Sequence, residues 1–441
     1  MLDTLTEYTL PGQNSGIDIA LTTKILIAQA ERELEQEPER KTLLAERHLL
    51  AGDFDAVLKL QSPNVSPRLA AIIAWAQLMQ GVKLSTRATV ASDEESFAIF
   101  EQAIEKYRAA VGAKADFSEA LNNWGLALSR QAGLKTAVDS DRLFALSYEK
   151  FAAALAVKSD SYVLNNWGLA LSRQAKMKAG FEADRLYAEC GEKFVAGLVY
   201  RPDSHEILYN WANAFAAQAT TKKGAEADGL FSHADARYAA AIVLKPNKYE
   251  ALTNWGSMLL NYAKTKAGPE AKALVNLAVQ KCAAAVAQKT DSYEARVNFG
   301  YALFKQALMN GRADADSLFT QADEQYAAAL TINPSLHEAL YGWGNLFAEQ
   351  ATVKVGSEAD RCFAKAEEKY GAAIAIKHDY HEAFCNWGIA LSNQAISKSN
   401  AEADRLFVLA KEKYAVALEA KPDYPELLNN TVRLGRDQGG L

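Results

Sequence analysis

From about Arg68 onward the apolar residues fall three, four and seven positions apart. In the stretch ALNNWGLALSRQA, residues 120–132, Leu121, Trp124, Ala127 and Leu128 share one face of a helix. Phe407, Ala410, Tyr414, Ala417 and Leu418 do the same near the other end. No stretch alternates for long in the manner of a strand. An all-α fold is expected.

The phrase then recurs: residues 163–175 read VLNNWGLALSRQA. Trp124, Trp167, Trp211, Trp255, Trp343 and Trp387 lie 43, 44, 44, 88 and 44 residues apart, and Phe299 fills the gap. Trp75, 49 residues before Trp124, is read into the same slot, with a longer loop over Gln80–Ser92 taking up the difference. The pattern decays at Thr431. One unit, written from Pro334 to Lys377, holds a helix, a short loop and a second helix. Such a unit cannot bury its apolar face alone, so stacked copies form one elongated core.

The punctuation supports helix pairs. Asp116–Glu119, Asp203–Glu206, Asn247–Glu250, Asp291–Glu294, Ser335–Glu338, Asp379–Glu382 and Asp423–Glu426 each place a cap residue three before a glutamate, as in a capping box. Lys245–Asn247 (KPN) and Lys421–Asp423 (KPD) are stop signals for the second helix, because proline cannot continue it.

Charge and cysteine content narrow the function. The net charge of −6 comes with no basic stripe, which argues against nucleic acid. Cys190, Cys282, Cys362 and Cys385 make no CxxC pair, so neither a zinc knuckle nor a disulfide framework is indicated. The opening MLDTLTEYTLPGQNSG does not read as a signal peptide, and LAAIIAWA, Leu69–Ala76, is too short to cross a bilayer. A cytoplasmic protein without membrane insertion is expected.

EALNNWGLALSRQA followed by EKYAVAL and KPDYPE resembles the tetratricopeptide repeat, over roughly Arg68–Leu441. The usual unit has about 34 residues; here ten more lie around the loop TVKVGSEADR, so longer helices are expected. Tryptophan also stands where that family has an aliphatic residue. The period alone fits other two-helix repeats such as the Sel1-like kind, while the NWG and KPD landmarks favour the tetratricopeptide type. The resemblance implies a right-handed superhelical α-solenoid of antiparallel helix pairs. Residues 1–66 would be a helical region with a divergent repeat and cap, 67–425 about eight pairs, and 426–441 a capping helix.

On a helical wheel Leu121, Ala127, Leu128 and Ala120 lie within about 60° of Trp124, so tryptophan is expected in the core. The small residue after it (Gly125, Gly168, Ala212, Gly256, Gly300, Gly344, Gly388) would admit a neighbouring helix. The residue before it is asparagine at Asn123, Asn166, Asn210, Asn254, Asn298 and Asn386, keeps register at Asn430, and breaks only at Gly342. It lies about 100° from the core centre. In the resembling solenoids that edge faces the concave groove. One amide per repeat, both donor and acceptor, suits the backbone of an extended ligand. The other reading is that each asparagine ties one helix to the next.

Neighbouring positions would set specificity, with Tyr209, Asn213, Tyr301, Tyr341 and Asn345 as groove residues. Lysine is absent from these rows and Arg130 and Arg173 are the obvious groove cations, which speaks against an adaptor for acidic chaperone tails. The glutamines Gln131, Gln174, Gln218, Gln306, Gln350 and Gln394 read as glue between helices. Asp141, Asp184, Asp228, Asp316, Asp360 and Asp404, often followed by arginine, read as a solvated ridge. His378, His381 and Cys385 cluster without a ligand spacing that supports a metal. No Walker loop, GxGxxG, GxSxG or HExxH is present. The expectation is a non-enzymatic module without cofactor or metal that binds a protein or peptide. Self-assembly, or service as a recognition subunit of an enzyme, are the alternatives.

Overall fold

A computed structural model describes residues 38–62, 65–134, 137–310 and 312–421. Residues 1–37 of the expected helical region, the cap over 426–441, Asn430 and the Asp423–Glu426 box lie outside the described residues. All regular structure among the described residues is helical. The chain divides into two compact units, one ending at Pro202 and one beginning at Asp203.

Among the described residues, unit 1 opens with α1 (Pro38–Leu50) and α2 (Phe54–Lys59), which pack on α3. Three helix pairs follow: α3 (Pro67–Ala88) with α4 (Asp93–Ala113), α5 (Ser118–Ala132) with α6 (Ala137–Val157), and α7 (Ser161–Ala175) with α8 (Gly180–Tyr200). Unit 2 holds five: α9 (His205–Ala219) with α10 (Gly224–Leu244), α11 (Tyr249–Ala263) with α12 (Gly268–Gln288), α13 (Tyr293–Leu308) with α14 (Arg312–Ile332), α15 (His337–Val353) with α16 (Ser357–Ile376), and α17 (His381–Ile396) with α18 (Asn400–Ala420). Within each unit a second helix packs on its own first helix and on the first helix of the next pair. This is the nearest-neighbour packing of an α-solenoid.

The extra length of the repeat sits mainly in the second helix. In the third pair α7 has 15 residues and α8 has 21. The turn inside a pair reverses the chain at Gly180, Gly224, Gly268 and Gly356, whose φ of 56–57° is the left-handed region that glycine adopts without strain.

A close approach fixes how five of the pairs cross. Gly81, Gly125, Gly168, Gly344 and Gly388 lie against the rings of Tyr107, Phe151, Phe194, Tyr370 and Tyr414, each 26 residues further on. A Cβ on any of these glycines would come within 2.5–2.9 Å of a ring carbon, closer than packed atoms allow. The rings are buried and form the centre of these five pairs.

That contact corrects the register of the first pair. Gly81 plays the part of Gly125, so the slot before it holds Gln80, 44 residues before Trp124. Trp75 is not in the tryptophan slot; it packs edge-on against buried Phe117 at 4.9 Å. There is no loop at 80–88, because α3 runs unbroken to Ala88. The spacing of 49 residues is that of Trp75, which lies five residues before the slot at Gln80.

The capping boxes are also displaced by one residue. Helices α5, α9, α11, α13, α15 and α17 are preceded by Phe117, Ser204, Lys248, Ser292, Leu336 and Tyr380 as N-caps. Ser204 and Ser292 accept from the amides of Ile207 and Ala295. The expected cap residues lie just outside, and the glutamates occupy the first turn, where acid suits the helix dipole.

Candidate functional site

The first helix of each pair is a rung, and the tryptophans mark where rungs join. Trp255 is buried, but Trp124, Trp167, Trp211, Trp343 and Trp387 are only half-buried, which corrects the expectation of a full core position. At three of them one side of the indole meets the preceding pair of the same unit. Trp167 stacks near Tyr148 and Phe151 at 6.2 Å, Trp255 near Tyr238 at 6.2 Å and Trp343 near Tyr326 at 6.5 Å. The indole N–H groups of Trp255 and Trp343 donate to Asp235 and Asp323 of the preceding pair at 2.7 and 2.6 Å. The ring also carries a cation from its own second helix. Lys150, Lys193, Arg237, Lys281, Lys369 and Lys413 stand 3.6–4.6 Å from the six ring centroids. The repeat with Phe299 has Gln325 in the cation's place, bonded to Arg296 at 3.1 Å. A weaker π-face thus coincides with the loss of the cation.

The asparagines sit beside this joint, and the preceding rung decides what each one does. The Nδ2 of Asn254 donates to the Tyr209 hydroxyl at 2.8 Å and to Asn213 Oδ1 at 3.2 Å. Asn386 repeats this with Tyr341 at 2.8 Å and Asn345 at 2.9 Å. The same two carbonyls accept from Tyr238 at 2.5 Å and Tyr370 at 2.7 Å. Each clasp therefore joins two rungs and a second helix through one amide oxygen. In unit 1, Asn166 is buried and donates to Asn122 Oδ1 at 3.1 Å. Asn123 turns back to the Glu119 carbonyl of its own helix at 2.8 Å.

Where the preceding rung offers Thr253 and Ser257 instead of tyrosine and asparagine, Asn298 makes no side-chain hydrogen bond among the described residues. Where it offers Val297 and Tyr301, the slot is Gly342. A Cβ there would stand 2.9 Å from the Tyr326 hydroxyl, which explains the break in the series. Asn210 is half-buried on α9.

The expected groove residues therefore separate. Tyr209, Asn213, Tyr341 and Asn345 are engaged in clasps. Tyr341 also packs against Tyr380 at 5.2 Å and Tyr370 at 6.3 Å. Tyr301 is half-buried with a hydroxyl that has no hydrogen bond among the described residues, and burial raises its phenol above the ordinary range. Lys264 stands 5.9 Å from its ring.

The glutamines join helices. Gln174 donates to Asp141 at 2.9 Å and accepts from the Tyr148 hydroxyl at 2.7 Å. Gln306 donates to Asn276 at 2.9 Å. The aspartate row is not a bare solvated ridge. Asp141, Asp228, Asp316 and Asp360 pair with Lys178, Lys266, Lys354 and Lys398 of the next loop at 2.7–2.9 Å. Lysine hydrogen bonds hold the Asp141 and Asp360 carboxyls below the usual range. The lysine row was readable in the sequence: it recurs with the repeat, four residues before Glu182, Glu270 and Glu358.

Among the described residues no group of three or more His, Cys, Asp or Glu could hold a metal ion. No helix among them is long and apolar enough to cross a membrane. Burial pushes the Cys190 and Cys282 thiols up to about 12.

This architecture is an all-α solenoid of stacked helix pairs with helix-joining polar ladders. No family model matches the chain, and no curated protein matches it. Solved structures of tetratricopeptide proteins are similar to it at low identity. YrrB, described as a tetratricopeptide protein with an unusual peptide-binding site, is 18% identical, with 53% of this chain and 95% of that chain covered and a TM-score of 0.34. TTC0263, a thermophilic tetratricopeptide protein of Thermus thermophilus, is 20% identical over 51% and 97%, with a TM-score of 0.36. The Cut9–Hcn1 hetero-tetramer of the APC/C is 11% identical over 94% and 93%, with a TM-score of 0.41.

Proposed function

We propose that the chain is a non-enzymatic, cytoplasmic protein-interaction scaffold that takes an extended segment of a partner along the exposed edges of its rungs. The observation that carries this reading is the pair Asn298 and Tyr301. They are three residues apart on α13, hence on one face, both half-exposed and both without a side-chain hydrogen bond among the described residues. A free amide can donate to and accept from a peptide group, and a tyrosine supplies contact area at small entropic cost. The clasped asparagines Asn254 and Asn386 have used their N–H groups and retain only a carbonyl edge for a ligand. Binding is thereby concentrated at the open rung rather than spread evenly along a ladder.

The test is capture from native lysate by immobilised wild type and by an Asn298→Ala/Tyr301→Ala variant of checked helicity. A partner held by wild type and lost by the variant supports the reading. Equal retention by both overturns this placement. Recovery of the chain alone, with a mass that rises with concentration in light scattering, replaces it with self-assembly.

A further inference from the structure

The phrase written twice in unit 1 repeats more than its core. Asn122/Asn165, Leu126/Leu169, Ser129/Ser172 and Arg130/Arg173 are identical in α5 and α7. In unit 2 the arginine position holds Ala217, Asn261, Lys305, Glu349 and Asn393. Stacking therefore does not require arginine there.

The geometry gathers positive charge at this place. Arg173 lies back across α5: its Nη1 donates to Ser129 Oγ at 2.9 Å, and its Cδ would be 3.5 Å from a Cβ at Gly133. Arg130 follows Ser129 on α5, and Lys176 caps α7 three residues beyond Arg173, one turn along the same helix. No carboxylate pairs with Arg130, Arg173 or Lys176 among the described residues. Asp141, on α6 between the two rungs in sequence, is occupied by Lys178 and Gln174. Burial and the Arg130 charge lower the Arg173 guanidinium to about 10. Both causes oppose keeping these cations together. A serine hydroxyl offers Arg173 one neutral bond and no counter-charge.

We infer that Arg130, Arg173 and Lys176, with Ser129, form an oxyanion site in unit 1 that takes a phosphoryl dianion carried by a protein segment. Two guanidinium forks can bind phosphoryl oxygens bidentately, and the dianion offsets most of the three positive charges, where one carboxylate would leave two. The inference deepens the reading of the chain as a peptide-binding scaffold and uses different residues from Asn298 and Tyr301.

The experiment measures fluorescence anisotropy of a labelled degenerate phosphoserine peptide library on the full chain, beside its serine and glutamate counterparts. The variants are Arg173→Gln, Arg173→Lys and Asn298→Ala, each checked by circular dichroism and melting. The phosphorylated library is expected to bind at least about tenfold more tightly than either counterpart. That advantage should be lost in Arg173→Gln and partly kept in Arg173→Lys. Inorganic phosphate should compete on the wild type, a readout that needs no variant. Glutamate peptides binding as well as phosphoserine, no competition by phosphate, or an unchanged preference in Arg173→Gln would each overturn the site. Loss of a captured partner in Asn298→Ala/Tyr301→Ala with no phosphate effect would remove this inference and leave the scaffold reading standing.

Discussion

Both units stack the same helix pair, yet they fasten their rungs differently. In unit 1 the join is short and polar: Asn166 to Asn122, and Arg173 to Ser129. In unit 2 the clasp is aromatic: asparagine, tyrosine and a second asparagine, with a buried tyrosine from the second helix closing the set. The element found in both units, glycine against a buried ring, sets five of the pairs. The differing element is a matter of what the preceding rung offers. The asparagine ladder that looks uniform in sequence is therefore several things in space: clasped by tyrosine and asparagine at Asn254 and Asn386, bonded to one asparagine of the preceding rung at Asn166, turned back on its own helix at Asn123, and open at Asn298.

The strongest way to break the comparison is to attack what the units share. Gly125→Val in unit 1 and Gly388→Val in unit 2 should each lower unfolding free energy by about 3 kcal/mol, since the ring cannot retreat from a filled core. Gly112→Ala is the control: its Cβ would meet nothing within 4 Å, and on helix propensity it should stabilise by up to about 1 kcal/mol. Urea denaturation measures all three.

The next effect separates the units. Asn386→Ala removes one donor from two acceptors, whereas Asn166→Ala removes it from one. Losses of about 1–3 kcal/mol are expected, larger for Asn386. Chemical denaturation that ranks Asn166 above Asn386 would refute the aromatic clasp as the stronger fastener.

Smaller still is the cation row. Lys369→Ala should cost about 0.5–1 kcal/mol through the exposed Trp343 face, and Gln325→Ala close to nothing on Phe299. A matched pair of melting curves decides it.

Least is expected from the loop ion pairs. Asp360→Asn should cost about 0.2–1 kcal/mol at low salt, less at high salt. Lys398 depresses the Asp360 carboxyl, so its contribution is present above the unfolded value of about 4 and is lost as pH falls through the lower folded value. The difference between wild type and variant melting temperatures should therefore vanish in strong acid.

Much of this fold was legible because a repeat multiplies weak signals. The period, the helix pair and the small residue after tryptophan all follow from spacing, since one face of a helix must be apolar and one contact must be close. The first pair misled because Trp75 is a louder residue than Gln80, although Gly81 and Tyr107 hold the register. The cap residues misled by one position because Ser204 and Ser292 stand beside Asp203 and Asp291, and sequence alone does not choose between adjacent polar residues. The fate of the asparagines was hidden for a different reason. Asn254 and Asn386 depend on residues 41 and 45 positions earlier, and Asn166 on one 44 earlier, distances that only the stacked structure reveals. Once the register is known the rule is simple: tyrosine and asparagine on the preceding rung hold the next asparagine, and threonine and serine leave it open.

The most direct test compares the melting and urea stability of Asn254→Ala with those of Asn298→Ala. These are the same substitution in the same slot of adjacent rungs. Asn254→Ala should lose about 1–3 kcal/mol and Asn298→Ala no more than about 0.5 kcal/mol. Equal losses, or a larger loss at Asn298, would contradict the claim that the preceding rung decides which asparagines fasten the stack and which remain open to a partner.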